Sequence, residues 1–350
     1  MLFDVQAKER KGDFYNYSEE MASLASAINS GERLIVVKGP RRVGKTSLMK
    51  VAFNSLQSPK AWIDARKVFA GVQAESVFHE AFVSILRQIK VEERLLARIE
   101  SVSLEGVGAG LRAPLPSAAA EEAQKELARR KIRAVIFIDE AQLLKRYDAD
   151  RFLAYLYDNL GMVQMVMAGS QVGLLEEFVG QSAEAPLFGR AKTEIELKRL
   201  AGRKAAEFLA KGFAEAGAKV PENDILAAIG SLDGLIGWLT YYGHYRISHP
   251  HEKALELVRR DAAEITSSEL NAFLSLRKGM KGRYKTLLKA LGQGPLSWEE
   301  MKIHLGLKEK KEISDSRMTE YLSKLVAYGF VERVNGRYAL SDPLMKEALS

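Results

Sequence analysis

The sequence predicts an α/β domain on a parallel sheet, then an all-helical segment, then a C-terminal winged helix-turn-helix. Three observations carry that expectation. The first half alternates short apolar runs with amphipathic stretches, the pattern of strand–helix–strand units that feed a parallel sheet. After Leu200 the strand-like runs stop and helical periodicity takes over. From Arg283 onward three helical stretches precede two short strand-like runs around Asn335-Gly336, a dipeptide suited to a two-residue hairpin.

Residues 33–38 (RLIVVK) form an almost unbroken apolar run, as a strand buried on both faces requires. Residues 47–56 place Leu48, Val51, Ala52 and Leu56 at helical spacing, and 61–65 read as a second strand. A helical period runs over 73–100 through Val77, Phe78, Phe82, Ile85, Leu86 and Ile89. The Gly- and Pro-rich stretch 101–116 is compatible with a hairpin. A polar helix over 121–131 leads into residues 134–138 (AVIFI), the most clearly buried strand, and 162–168 and 193–197 complete five. Helices are expected over 203–216, 223–231, 235–246 and about 251–276. Three more follow over 284–291, 297–305 and 314–328, with strands at 330–334 and 337–340. Ser297 and Ser314 stand where helix N-caps belong. Met318, Tyr321, Leu322, Leu325 and Val326 give the last helix its apolar face. The expected divisions are 1–200, 201–276 and 277–350.

A chain of 350 residues exceeds one ordinary core, and its 47% hydrophobic and 28% charged residues are globular proportions. No apolar run reaches the eighteen or so residues of a membrane span, and residues 1–12 lack the apolar core of an export signal. The absence of cysteine excludes disulfides and thiolate metal sites and fits a reducing interior, so the cytoplasm is the expected location. Abundant Lys, Arg and Glu beside few Asn and Gln is a balance found in heat-adapted proteins. Of the net charge of +7, much concentrates in residues 277–289, where Arg277, Lys278, Lys281, Arg283, Lys285 and Lys289 have no acidic neighbour in sequence. Such a run suits a phosphate backbone, an acidic partner or a solvated helix face.

Gly39-Pro40-Arg41-Arg42-Val43-Gly44-Lys45-Thr46 has the spacing G-x-x-x-x-G-K-[ST] between a buried strand and an amphipathic helix. Glycines let consecutive backbone N–H groups turn toward one phosphate, and the helix that follows, with Ser47 in its first turn, adds the positive end of its dipole. Lys45 supplies a point charge to β- and γ-phosphates, and Thr46 a hydroxyl to magnesium. The strand over 134–138 ends in Asp139-Glu140. Asp139 can hold the metal, and Glu140 can orient and polarise the attacking water. Gly169-Ser170 ends the next strand, where Ser170 can reach the γ-phosphate or the water, or simply close a turn. Arg190, in PLFGR, can add charge in cis or from a neighbour, or be a surface arginine. The histidines at 79, 244, 249, 251 and 304 have no metal-ligand spacing, and no Ser-His-Asp or thiol nucleophile set is visible.

GPRRVGKTSL, VIFIDEAQ, AGS with LLEEF, and PLFGR before a strand together resemble the archaeal ATPases of the STAND group, signal-transduction ATPases with numerous domains that are AAA+-like. The similarity runs from about Phe14 to the winged helix. It implies a five-stranded sheet ordered 5-1-4-3-2, a helical lid, a winged helix, and ATP or ADP with Mg2+ between sheet and lid. It matches Lys45 and Thr46 to the Walker A pair, Asp139 and Glu140 to the Walker B pair, Ser170 to the first sensor, and Arg190 to a Gly-Arg arginine. Two departures stand out. Asn16 is followed by Tyr17 and Ser18 where the family carries Asn-Arg-Glu, and Gly234-Leu235-Ile236 replaces Gly-x-Pro.

Three functions are compatible with this organisation. One is a switch in which slow ATP hydrolysis moves lid and winged helix. Another is an ATP-licensed DNA-binding regulator or initiator-like protein, binding duplex DNA through the winged helix and the 277–289 run. The third is a protein-interaction module. Asp315, Arg317, Glu320 and Lys324 leave the candidate recognition helix neutral, while Lys308, Lys310, Lys311, Arg333 and Arg337 lie near it in sequence.

Overall fold

The computed structural model describes residues 1–68, 74–97, 99, 116–147, 149–180 and 185–349. The expected hairpin over 101–116 lies outside the described residues except for Pro116, which opens a helix.

Five parallel strands form the sheet: β1 (Leu34–Lys38), β2 (Lys60–Asp64), β3 (Ala134–Asp139), β4 (Val163–Ala168) and β5 (Thr193–Glu196). Their spatial order is β2-β3-β4-β1-β5, the expected order read from the opposite edge. Burial follows position in the sheet. Every residue of β3 and β4 is buried, whereas the edge strands β2 and β5 alternate. Because side chains alternate across the pleat, Leu34, Val36, Ile136, Ile138, Met165 and Met167 enter one core while Ile35, Val37, Val135, Phe137, Val166 and Ala168 enter the other.

The first core is covered by α3 (Ala74–Gln88), α4 (Pro116–Arg130), α5 (Ala149–Asn159) and α6 (Val172–Phe178). The helical stretch expected over 73–100 is broken. The chain leaves α3 at Gln88, Lys90 adopts a left-handed φ of 53°, and helix resumes at Glu93. No glycine or proline marks that break, so periodicity alone ran across it. Gln88 turns back to the open edge of β2, where its amide accepts from Lys60 N (3.0 Å) and donates to Lys60 O (2.7 Å), blunting the edge as a paired strand would.

The second core joins α1 (Ser18–Ser30) and α2 (Lys45–Ser55) to α7 (Gly202–Glu215), α8 (Glu222–Leu232), α9 (Ile236–Arg246) and α10 (His251–Ser275). At 25 residues α10 is about 38 Å long. Its first half buries Ala254, Leu255, Val258 and Ala262 in this core, and its last turns bury Leu270, Phe273 and Leu274 in a third.

That third core holds the winged helix: α11 (Lys281–Leu291), α12 (Trp298–Glu309), α13 (Asp315–Ala327) and the hairpin β6 (Val331–Val334) and β7 (Arg337–Leu340). Asn335 and Gly336 both take positive φ (50° and 79°), as a hairpin turn matched to strand twist demands. Ser297 caps α12 through a reciprocal box with Glu300. Ser314 occupies the N-cap of α13 but makes no capping bond; its hydroxyl lies 3.4 Å from that of Ser316. Met318, Tyr321, Leu322 and Leu325 are buried, and Val326 only partly. The chain then returns through a 3-10 helix, Pro343–Ala348, which packs on α10 and sends Leu344 into the second core.

Candidate functional site

The loop after β1 is shaped by three positive φ angles: Gly39 (146°), Arg42 (64°) and Gly44 (96°). At Gly39 a side chain is excluded, since a Cβ there would lie 2.3 Å from Leu197 O. Val43 is fully buried and anchors the loop to the second core. The backbone N–H groups from Arg41 to Thr46 find no acceptor among the described residues, as a concave anion site requires.

Lys45 is only 6% exposed, and its ammonium donates to Gly39 O (2.7 Å) and Pro40 O (2.6 Å). Burial pushes its pKa down to about 8, against the pull of Glu140 and Asp139. Opposite it stands the tip of β3. Asp139, 2% exposed, accepts from Thr46 Oγ1 at 3.0 Å and from Glu140 N at 3.1 Å. Burial, and then the neighbouring Glu140 charge, raise its pKa. A polyanion beside Lys45 and a cation beside Asp139 would each offset a desolvated charge, so the donor set fits a magnesium-bound polyphosphate.

Glu140 sits at φ 53°, and its carboxylate accepts from Ser170 Oγ (2.9 Å), Ser170 N (3.3 Å) and Gln142 Nε2 (2.6 Å). The end of β4 is thereby joined to the tip of β3. A cleft of about 380 Å³ opens here, a volume suited to a small ligand. Its lining includes Gly44, Lys45, Thr46, Ser47, Glu140 and Ser170 together with the apolar and aromatic side chains of Tyr17, Phe208, Ile236, Tyr241 and Ile265.

The N-terminal segment also lines the cleft, through Leu2 and residues 4–8. Lys8 N donates to Ser47 Oγ (3.0 Å), tying this segment to the first turn of α2. The apolar residues Leu2 and Phe3, both buried, are the sole local hint of a packed segment. Asn16 and Tyr17 take φ of 64° and 57°, and this turn buries Tyr17 beside the loop with its hydroxyl donating to Lys198 O (2.7 Å).

The loop arginines face elsewhere. Arg41 pairs with Glu269 of α10, donates to Tyr328 O at the end of α13 (3.4 Å) and lies over the Phe330 ring at 5.4 Å. Arg42 lies over Trp238 of α9 at 4.2 Å, accepts Gly237 N at its carbonyl (2.9 Å) and pairs with Asp342 at 3.4 Å. Asp342 in turn accepts from Trp238 Nε1 at 2.9 and 3.0 Å. Both arginines border the cleft, but their guanidinium partners belong to the helical segment and the winged helix.

Arg190 is not brought to this site. It forms a two-point pair with Asp158, with Nε at 2.9 Å, also bonds Pro186 O and stands over Tyr157 at 5.8 Å. The basic run is likewise divided. Arg277 donates to Phe273 O (2.8 Å) and stacks on Phe273 and Tyr328, and Arg283 binds Glu309 and the Tyr321 hydroxyl, both at 2.9 Å. Lys278, Lys281, Lys285 and Lys289 stay exposed.

A family model described as an ATPase domain predominantly from Archaea matches residues 14–240, and one described as the MCM protein C-terminal winged helix-turn-helix domain matches 278–341. No curated protein matches the chain. A Walker-type ATPase of Pyrococcus abyssi is similar over 100% of this chain and 99% of its own, at 27% identity and a TM-score of 0.81. The ORC2 protein of Aeropyrum pernix, in complexes with ADPNP and ADP, shares the fold over 99% and 96% at 14% identity and a TM-score of 0.64. No described helix is long and apolar enough to cross a membrane. With the glycine loop, the acidic strand tip and the winged helix all in place, the chain belongs to the ATPase domain family found predominantly in Archaea, an AAA+-like P-loop fold.

Proposed function

We propose that this protein binds Mg-ATP in the cleft, hydrolyses it slowly, and uses the nucleotide state to set how the helical segment and winged helix sit on the sheet. The observation that carries the reading is the pair Arg41 and Arg42. One phosphate-binding loop contacts α9, α10, the end of α13 and the C-terminal segment at once. A rearrangement of that loop around phosphate is therefore felt by all of them.

Within the cleft, Lys45 and the backbone N–H groups of 41–46 hold phosphate oxygens, and Thr46 and Asp139 hold the metal. Magnesium, when bound, supplies charge neutralisation on those oxygens. Glu140 orients the attacking water and accepts its proton, and Ser170, bonded to Glu140, exchanges that partner for phosphate. Arg190 stands outside the cleft, so a part for it in the reaction requires a second copy of the chain.

Because the chain has no cysteine, a label pair can be placed cleanly. Ala128→Cys on α4 and Ser316→Cys on α13 are both exposed. The spin–spin distance between them is expected to differ between the ADP state and an ATP state trapped by Glu140→Gln. Identical distance distributions in both states would remove the switch. Turnover equal to the parent in Glu140→Gln would remove the hydrolytic role of Glu140.

A second reading, nucleic-acid docking, is favoured by the face of α11. Lys281, Lys285 and Lys289 recur every four residues on its exposed side, Lys278 precedes them, and none has a carboxylate partner among the described residues. Around α13 and the wing three cations are instead paired, Lys302–Asp315 (2.6 Å), Lys324–Glu320 and Arg337–Glu300 (2.6 Å), while Arg317, Lys308, Lys310 and Lys311 have no carboxylate partner among the described residues. Duplex DNA would thus meet the protein chiefly through phosphates, with a salt slope that falls by roughly one unit per lysine removed. A gel-shift series over salt with Lys281→Glu and Lys285→Glu tests this. No binding of the parent at low salt leaves a protein partner as the target.

A further inference from the structure

Gln142 stands two residues past Glu140, and despite its polarity it is only 4% exposed. Its two amide atoms have opposite fates. Nε2 donates to Glu140 Oε2 at 2.6 Å, while Oε1 is buried with no hydrogen-bond partner. The reverse orientation would set an amide oxygen against a carboxylate oxygen, so the chemistry fixes which atom faces Glu140. A leucine of similar volume would fill this space without an orphaned acceptor, so core filling does not account for the glutamine. Its surroundings are fitted to it as well. A Cβ on Gly169 would fall 2.0 Å from Gln142 Oε1, so the amide lies directly beneath the end of β4.

Glu140 is held unevenly. Gln142 Nε2, Ser170 Oγ and Ser170 N all converge on Oε2, and the carboxylate's Oε1 accepts no hydrogen bond from the described residues. The two anchors differ in kind. Ser170 borders the cleft, and its hydroxyl can turn to another partner. Gln142 is enclosed and cannot.

We infer that Gln142 is a positioning residue of the hydrolytic site. It pins one oxygen of the Glu140 carboxylate so that the other stays aimed at the water when Ser170 turns to phosphate. The inference rests on the reading of Glu140 given above. Misplacing a reacting group by about 1 Å can cost roughly a hundredfold in rate without changing affinity, which gives this role its own signature.

The test uses the full chain, with Mg-ATP turnover, equilibrium binding of the fluorescent analogue mant-ATP in EDTA, and thermal melting. Gln142→Leu keeps the volume and removes the donor. Its kcat is expected to fall at least about tenfold, with KM and mant-ATP affinity within about threefold of the parent. Gly169→Ala reaches the same state from the other side by displacing Gln142 Oε1, and serves if Gln142→Leu does not fold. Gln142→Glu, which faces Glu140 with a second carboxylate, should lower kcat further. A purely structural glutamine would lower melting temperature and mant-ATP affinity together with kcat. If folded Gln142→Leu or Gly169→Ala keeps kcat within twofold while Glu140→Gln abolishes turnover, the inference is overturned and Glu140 keeps its role. If Glu140→Gln itself turns over like the parent, it is the underlying reading that fails.

Discussion

Arg42 of the phosphate-binding loop and Asp342 near the C-terminus stand 3.4 Å apart, with Trp238 of α9 joining both: its ring lies under the guanidinium and its indole N–H bonds the carboxylate. Asp342 is 4% exposed, so this is a desolvated charge with every partner accounted for. Removing it leaves the Trp238 indole N–H and the Leu344 N–H without their acceptor, and Arg42 with only the longer pair to Glu269 at 3.9 Å. Asp342→Ala is therefore expected to destabilise by about 3 kcal/mol, the range for breaking a buried pair from one side. Chemical denaturation of single and double variants with Arg42→Met measures the coupling. An interaction energy under about 0.5 kcal/mol would mean the two residues are neighbours only.

A related prediction concerns the turn at Asn16-Tyr17, where two consecutive residues take left-handed φ to bury one phenol. Tyr17→Phe deletes the bond to Lys198 O and should cost about 1 kcal/mol with nucleotide affinity unchanged. Tyr17→Ala removes a ring bordering the cleft, and should cost about 3–5 kcal/mol and weaken ADP binding together with stability. Denaturation and mant-ADP titration separate the two. Loss of ADP affinity in Tyr17→Phe would mean the hydroxyl serves the ligand and not the turn.

How much of this was legible in the sequence depends on how far apart the partners lie. Gly39 to Thr46 form a loop set by local backbone shape, so spacing alone points to it. The β3 tip was legible because an apolar strand ending in Asp139-Glu140 is a local pattern too. Gln142 lies in the same VIFIDEAQ string but is not legible there, since nothing in a linear string tells a buried polar residue from an exposed one. Arg41 and Arg42 lie inside the loop, so spacing points them at the nucleotide. Their partners, Glu269, Tyr328 and Asp342, are long-range and leave no trace in spacing. Arg190 illustrates the same limit, because Asp158 binds it from α5. The break at Lys90 was hidden for a different reason: a lysine carries the left-handed angle that glycine or asparagine would have signalled.

Magnesium and the loop lysine make separable predictions. Lys45→Ala removes a buried cation and should weaken mant-ATP binding roughly 10–100-fold, the equivalent of one charge-assisted hydrogen bond or somewhat more. On the proposed reading, Thr46→Val and Asp139→Asn are expected to act instead on metal binding. Mant-ATP affinity of both variants in EDTA should match the parent, while the gain on adding magnesium is lost. If Asp139→Asn gains from magnesium as the parent does, Asp139 is not a metal ligand.

The docking of the winged helix on the sheet is tightest where α6 meets α13. A Cβ on Gly173 would come 2.6 Å from Ala327 Cα, and a Cβ on Gly329 would come 3.1 Å from Ser170 O, so the end of α13 lies directly on the β4 end that carries Ser170. Gly173→Val must push these elements apart, at an overpacking cost of about 1–3 kcal/mol. It is a cleaner perturbation than truncation after Leu276. Truncation would strip Leu270, Phe273 and Leu274 of their core and take Asp342 away from Trp238. In Gly173→Val the Ala128→Cys to Ser316→Cys distance should lengthen and broaden without nucleotide. Release of the α13 end also frees Arg41 from Tyr328 O and Phe330, so ATP turnover is expected to rise at least about twofold if the docked state restrains the loop. A displaced winged helix with unchanged turnover would uncouple the two, leaving the contact as packing and the loop arginines as its fasteners.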